Sequence, residues 1–134
     1  MVTPAETWLD AVQWNDAGLV PVVTQDATSG EFLMLAWMSR ESLQLTVESG
    51  DMVYWSRSRN ALWRKGETSG HFQRLVELRL DCDADALLAR VEQVGGVACH
   101  TGRRRCFFKL LDARNGWVVT EAVVELDQPG VFRN

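Results

Sequence analysis

Leu19-Val20-Pro21-Val22-Val23-Thr24-Gln25, then Asp26-Ala27-Thr28-Ser29-Gly30, then Glu31-Phe32-Leu33-Met34-Leu35-Ala36-Trp37: these three consecutive stretches decide the fold. The outer two are rich in β-branched and aromatic side chains, which suit a pleated surface, and the middle one is made of turn-forming residues. Together they predict a hairpin of paired strands. Towards the N-terminus, Ala5, Trp8, Leu9 and Val12 recur at helical spacing over residues 4–13, and Asn15-Asp16-Ala17-Gly18 stops that helix. Beyond the hairpin, Ser39-Arg40-Glu41-Ser42 opens a helix over Leu43, Leu45 and Val47 that Gly50-Asp51 ends. A serine, not Glu or Gln, stands three residues after Ser39, so a full capping box is not expected. Residues 52–56 predict another strand, and residues 57–73, of mixed polarity with no sustained period, a long functional loop.

Val76, Leu78 and Leu80 alternate with Glu77, Arg79 and Asp81, the pattern of a half-buried strand whose apolar face Cys82 extends. Leu87, Leu88, Val91 and Val94 then predict a helix closed by Gly95-Gly96. Two final strands, residues 107–111 and 117–126, flank Ala113-Arg114-Asn115-Gly116, where Asn-Gly is a strong hairpin signal. Strands with hairpin junctions, interrupted by two or three short helices, give an α+β fold built mainly on antiparallel sheet.

At 134 residues, the chain has the size of one domain, expected over residues 1–134. No apolar run approaches the roughly 20 residues that cross a bilayer, and Met1-Val2-Thr3-Pro4-Ala5-Glu6 lacks the basic and apolar segments of a signal peptide. A cytoplasmic protein without a membrane partner is expected. The net charge of −4 conceals an asymmetry: residues 1–56 carry eight acidic side chains and one basic, whereas 57–105 carry ten basic and six acidic. A positive middle in an acidic protein predicts a local anion site, suited to a phosphorylated small molecule and not to nucleic acid.

The densest chemistry lies in Asp81-Cys82-Asp83-Ala84-Asp85 and in Cys99-His100-Thr101-Gly102-Arg103-Arg104-Arg105-Cys106. Asp83 and Asp85 suit a helix N-terminus, and isolated cysteines are commonly small buried hydrophobes. Three clustered carboxylates, however, repel one another unless a cation neutralises them, and hard oxygen donors suit Mg²⁺. Thiolates are soft donors that favour zinc. An odd number of cysteines in a reducing compartment, with no C-x-x-C pair, leaves two readings: buried free thiols, or three ligands around a catalytic zinc with an open position for water. The H-x-E and P-C-x-x-C signature of zinc nucleobase deaminases is absent.

Tyr54-Trp55-Ser56-Arg57-Ser58-Arg59, Trp63-Arg64-Lys65-Gly66-Glu67-Thr68-Ser69-Gly70, the aspartate and cysteine motif, and Cys99-His100-Thr101-Gly102 through Cys106-Phe107-Phe108 closely resemble the phosphoribosyl-AMP cyclohydrolase family. The resemblance covers roughly residues 18–111. It implies a cytoplasmic, intertwined homodimer of histidine biosynthesis that hydrolyses the N1–C6 bond in the adenine ring of phosphoribosyl-AMP with a zinc-activated water. It further implies zinc on Cys82, Cys99 and Cys106, with Cys82 supplied across the dimer interface, Mg²⁺ on Asp81, Asp83 and Asp85, and His100 as the proton carrier. Two departures stand out: Arg105 replaces a common serine, and His71 replaces a common asparagine after Thr-Ser-Gly.

For the 5′-phosphates the expected ligands are Arg57, Arg59, Arg64 and Lys65, with Thr68, Ser69 and the glycine backbone beside them, and Arg103 and Arg104 between the two later cysteines. A solvated basic loop is the plain alternative. Trp55 and Trp63 suit core packing better than stacking on a purine. The competing function class is a phosphate- or nucleic-acid-binding module whose zinc is structural. A catalytic site keeps an open ligand position and loses turnover on chelation, whereas a structural one is closed.

Overall fold

Strands β1 (Leu19–Asp26) and β2 (Phe32–Ser39) pair antiparallel from Leu19↔Ser39 to Gln25↔Phe32 in the computed structural model of the protein, which describes residues 5–124. Their turn is closed by Asp26, which accepts from the Ser29 N–H at 2.8 Å, and by Gly30 in the left-handed region. Before them lies α1 (Ala5–Asp10), which buries Leu9; Pro4, where the expected helix begins, lies outside the described residues. After them comes α2 (Arg40–Ser49), ended by Gly50 at φ +81. A capping box is present after all: Ser39 Oγ accepts from the Ser42 N–H at 3.1 Å and Ser42 Oγ accepts from the Ser39 N–H at 2.8 Å. A serine hydroxyl does here what a Glu or Gln carboxyl or amide oxygen usually does.

Three further expectations are corrected. Residues 57–73 are not one loop: β3 (Val53–Ser56) turns at Asn60, in the left-handed region, into β4 (Ala61–Arg64), with Trp55 opposite Leu62. The stretch expected to be a helix, Leu87 to Val94, is instead β6 (Leu87–Gln93), running antiparallel to β5 (Gln73–Leu80) and parallel to β1. Leu87, Ala89 and Val91 are all buried, and this period of two prevails because β6 lies between two strands, where alternate side chains reach the core. A bulge between Leu75 and Glu77 also resets β5, so that Leu75 and Leu78 pack on the core while Val76 and Leu80 are exposed.

The resulting six-stranded mixed sheet has the order β4-β3-β2-β1-β6-β5, and with two α-helices among the described residues the fold is α+β. The sheet curls far enough for its two sides to meet: Met52 N–H donates to the Gln73 carbonyl and Leu75 N–H to the Gly50 carbonyl, at 2.9 and 2.8 Å. The core fills the curl with Val20, Val22, Leu33, Met38, Leu43, Met52, Tyr54, Leu87 and Val91. Through it runs a line of polar groups. Thr24 hydroxyl bonds to Tyr54 hydroxyl at 2.7 Å, Tyr54 donates to Gln73 Oε1 at 2.6 Å, and Gln73 Nε2 donates to Gln93 Oε1 at 2.8 Å. Gln93 Nε2 then reaches the carbonyls of His71, Phe72 and Val94. Burial raises the Tyr54 phenol well above its ordinary pKa, with Thr24 opposing, so Tyr54 stays a neutral donor.

A separate hairpin, β7 (Lys109–Asp112) and β8 (Gly116–Val119), turns at the expected Asn115-Gly116. The expected last strand stops short, at Val119: residues 120–124 are not strand, and residues 125 and 126 lie outside the described residues. This hairpin is apolar and bare: Leu110 is 63% and Trp117 68% exposed, with Leu111 and Val119 also uncovered.

Candidate active site

Backbone pairing folds the loop between Cys99 and Cys106 back on itself. Ala98 N–H donates to the Arg104 carbonyl, Cys99 N–H to the Arg103 carbonyl and Gly102 N–H to the Cys99 carbonyl, each at 3.0 Å. Gly102 takes φ +84, which only glycine adopts without strain. Cys106 N–H donates to the Leu33 carbonyl at 2.7 Å, tying the loop's end to β2. Both thiols thereby come near each other at the base of the loop, with Thr101 Oγ1 3.0 Å from Cys99 Sγ. The interaction with the Cys106 side chain, against the cost of burial and helped by Thr101 and the neighbouring His100, lowers the Cys99 pKa to about 5. The same interaction, together with burial and the Cys99 charge, raises Cys106, with Lys65 opposing. His100 is exposed on the same loop.

Beneath the pair lies a residue that the sequence places elsewhere. Lys65, expected on an exposed phosphate-binding loop, is buried, with Nζ donating to the Ala98 carbonyl and lying 5.0 Å from the centroid of the Trp63 ring. Burial lowers its pKa, while the charges of Cys106 and Cys99 pull it back up. The physical reason for the displacement is β4, which carries Trp63 and Arg64 along the sheet edge and delivers the next residue inward, where Lys65 N–H donates to the Met52 carbonyl. No signal in the sequence distinguishes Lys65 from its exposed neighbour Arg64.

The remaining basic side chains are on the surface and mostly engaged within the chain. Arg57 stacks over Trp37 at 4.7 Å, and Arg59 sits on the same exposed β3–β4 turn. Arg64 pairs with Asp51 at 2.5 Å, and Arg104 with Glu31 at 2.8 Å. Arg103 donates to the Glu121 carbonyl at 2.9 Å and covers Phe108, while Arg105 grips both Glu121 carboxylate oxygens. Thr68 is exposed, and Ser69 Oγ accepts from His71 N–H at 3.2 Å.

Asp81, Cys82, Asp83 and Asp85 lie on the turn between β5 and β6, with no helix after them. Asp81 N–H donates to the Ala86 carbonyl and Asp85 N–H to Asp81 Oδ1, each at 3.0 Å, and Ala84 sits at φ +61. The Asp81 charge, with lesser help from Asp83, raises the Asp85 pKa. Cys82 is exposed, so it does not extend the buried face of β5. Among the described residues of one chain, no three His, Cys, Asp or Glu side chains converge in an arrangement that holds a metal. Cys99 and Cys106 are two donors brought together, and Cys82 stands apart from them.

The donors nonetheless fit the ions. Two free cysteine sulfurs brought together at the base of one loop, near a buried ammonium, form a partial site for a soft divalent ion such as zinc. The self-repelling carboxylates of the exposed turn suit a hard one such as Mg²⁺.

A family model described as phosphoribosyl-AMP cyclohydrolase matches residues 34–108, a span that includes most of β2, the whole aspartate turn and both loop cysteines. A phosphoribosyl-AMP cyclohydrolase of Methylobacillus flagellatus is 59% identical over 121 residues, 90% of this chain and 92% of that one. Those of Nitrosospira multiformis, 60% identical over 90% of this chain and 92% of that one, and Marinobacter nauticus, 60% identical over 88% and 85%, agree as closely. Identity at this level over nearly the full length of these relatives, with every quoted motif inside the aligned span, means that the chain belongs to the phosphoribosyl-AMP cyclohydrolase family.

Proposed function

We propose that the protein hydrolyses the N1–C6 bond in the adenine ring of 1-(5-phosphoribosyl)-AMP, giving the phosphoribosylformimino-aminoimidazole carboxamide ribotide of histidine biosynthesis, as a cytoplasmic homodimer. The observation that carries this reading is the paired Cys99 and Cys106 thiols, with His100 on the same loop, in a chain of this family. Ribosylation at N1 leaves the ring electron-poor, so C6 is open to a nucleophile. Zinc, when held by Cys99, Cys106 and Cys82 of the partner subunit, lowers the pKa of water to about 7 and makes hydroxide available at neutral pH.

The chain's own residues do the rest. His100 takes a proton from the attacking water and delivers it to N1 as the N1–C6 bond breaks, leaving the water oxygen on C6 as the carboxamide oxygen. Arg57 and Arg59 on the β3–β4 turn, with Arg103 and Arg104 on the cysteine loop, bind the phosphates. Asp81, Asp83 and Asp85 would hold Mg²⁺, whose charge would offset the mutual repulsion that raises the Asp85 pKa. Two features support the dimer: the bare apolar hairpin β7–β8, and the separation of Cys82 from the thiols it is to join.

The purified protein is assayed for ring opening with and without chelator and added Mg²⁺. Turnover that a chelator abolishes without unfolding the chain is expected; a folded, zinc-loaded protein without turnover would instead mark a zinc-stabilised phosphate-binding module. His100→Ala is expected to retain zinc and to lose roughly 10²–10⁴-fold in kcat. Undiminished kcat in that variant eliminates His100 as the proton carrier.

A further inference from the structure

Lys65 is a buried cation that the chemistry above does not use. An ammonium in a protein interior is costly unless it is paired, and the groups around this one are few. They are the Ala98 carbonyl, the face of Trp63, and the two thiols of Cys99 and Cys106, which act on it through their charge. A carbonyl and a ring face solvate an ammonium incompletely, and only the sulfur pair brings negative charge. The hydrogen bond is also placed to matter, because Ala98 directly precedes Cys99 and its N–H already bonds to the Arg104 carbonyl across the base of the loop. Lys65 thus ties the end of β4 to the residue that aims one thiol.

We propose that Lys65 is the positioning residue and built-in counter-cation of the cysteine centre, holding the Cys99 backbone through Ala98 and balancing the charge of the thiolates. The proposal rests on the reading that these thiols take zinc. Three cysteinates around one divalent ion carry a net charge of minus one, which a single ammonium neutralises. Partners that hold and tune metal ligands in this way, without touching the metal, change affinity by roughly 10–100-fold when lost.

Two measurements test it. Zinc affinity is determined by competition with a chromophoric chelator for the wild type and for Lys65→Met, which keeps the apolar stem and removes the charge and the donor. Lys65→Met is expected to bind zinc about 10–100-fold more weakly; affinity unchanged within about twofold overturns the proposal. Separately, thermal unfolding of the metal-free chain is followed for Lys65→Met in the wild-type and in the Cys99→Ser/Cys106→Ser background. Pairing with the thiols requires that Lys65→Met lower the melting temperature in the first background and leave it unchanged or raise it in the second. Equal losses in both mean that Lys65 serves packing alone. If Lys65→Met fails to fold, the triple variant decides: folding there supports the pairing, and failure there overturns it. A wild type that takes up no zinc removes the zinc reading, while the metal-free comparison still settles what Lys65 faces.

Discussion

Gly66 and Gly95, at φ +88 and +82, both approach His71 and Phe72 closely, at the end of the segment that carries Thr68 and Ser69. A Cβ on Gly95 would fall 1.8 Å from His71 Nδ1, whereas one on Gly66 would fall 2.4 Å from the backbone nitrogen of Phe72. An imidazole can swing away, at the loss of its 3.2 Å approach to the Val94 carbonyl; a backbone nitrogen cannot. Gly95→Ala is therefore expected to cost roughly 1–3 kcal/mol in urea unfolding, with the steric part restored in a His71→Ala background. Gly66→Ala is expected to cost more, with no such rescue, and a Gly95→Ala penalty unaffected by His71→Ala removes the imidazole as the clash. At this scale the sequence is a poor guide to placement. It identifies Cys99, Cys106 and His100 as neighbours in chemistry, and the structure brings the two thiols together. It reads Gly95 as a helix stop and Lys65 as a surface cation, because a glycine's neighbour and a lysine's burial are set by distant strands.

Among the elements, the hairpin of β1 and β2 and that of β7 and β8 are legible because their turns carry local signals that no tertiary contact contradicts. β6 is not, because Leu87, Leu88, Val91 and Val94 satisfy a helical period while Leu87, Ala89 and Val91 satisfy a strand's, and only the neighbours β1 and β5 choose. β4 escapes notice since four residues at a sheet edge carry little periodicity. What joins these strands is the polar line from Thr24 to Gln93, contributed by β1, β3, β5 and β6. Each proton in it has one place to go: Tyr54 donates to Gln73, so Thr24 must donate to Tyr54. Tyr54→Phe strands a buried Thr24 hydroxyl and a buried Gln73 oxygen, and is expected to lower stability by roughly 1–3 kcal/mol. Adding Thr24→Val removes one of the stranded groups and is expected to recover part of that loss. An additive double variant would mean that the two hydroxyls do not depend on each other.

For the whole molecule, the proposed zinc set, divided between Cys82 and the separate pair Cys99 and Cys106, has a consequence for mixtures. In a two-fold dimer each of the two sites takes Cys82 from one chain and the loop thiols from the other. Cys82→Ser and Cys99→Ser proteins are each expected to be inactive, yet after unfolding and refolding together about a quarter of wild-type activity should return, because half of the dimers are hybrids with one intact site of two. A mixture as inactive as its components places all three ligands in one chain and ends the shared-site reading. The curl of the sheet has a different consequence. Only the start of β5 is sealed against residues 50–52, and from the bulge at Val76 onward its outer edge has no strand partner among the described residues. An open, straight, apolar edge is a template for a further strand and so for aggregation. Here Val76 is 59% exposed, but the bulge bends the ladder and Glu77 and Arg79, paired at 2.6 Å, stand beside it. The same irregularity that turns Leu75 and Leu78 into the core thus also guards the open edge, by denying a stray strand a regular ladder to copy.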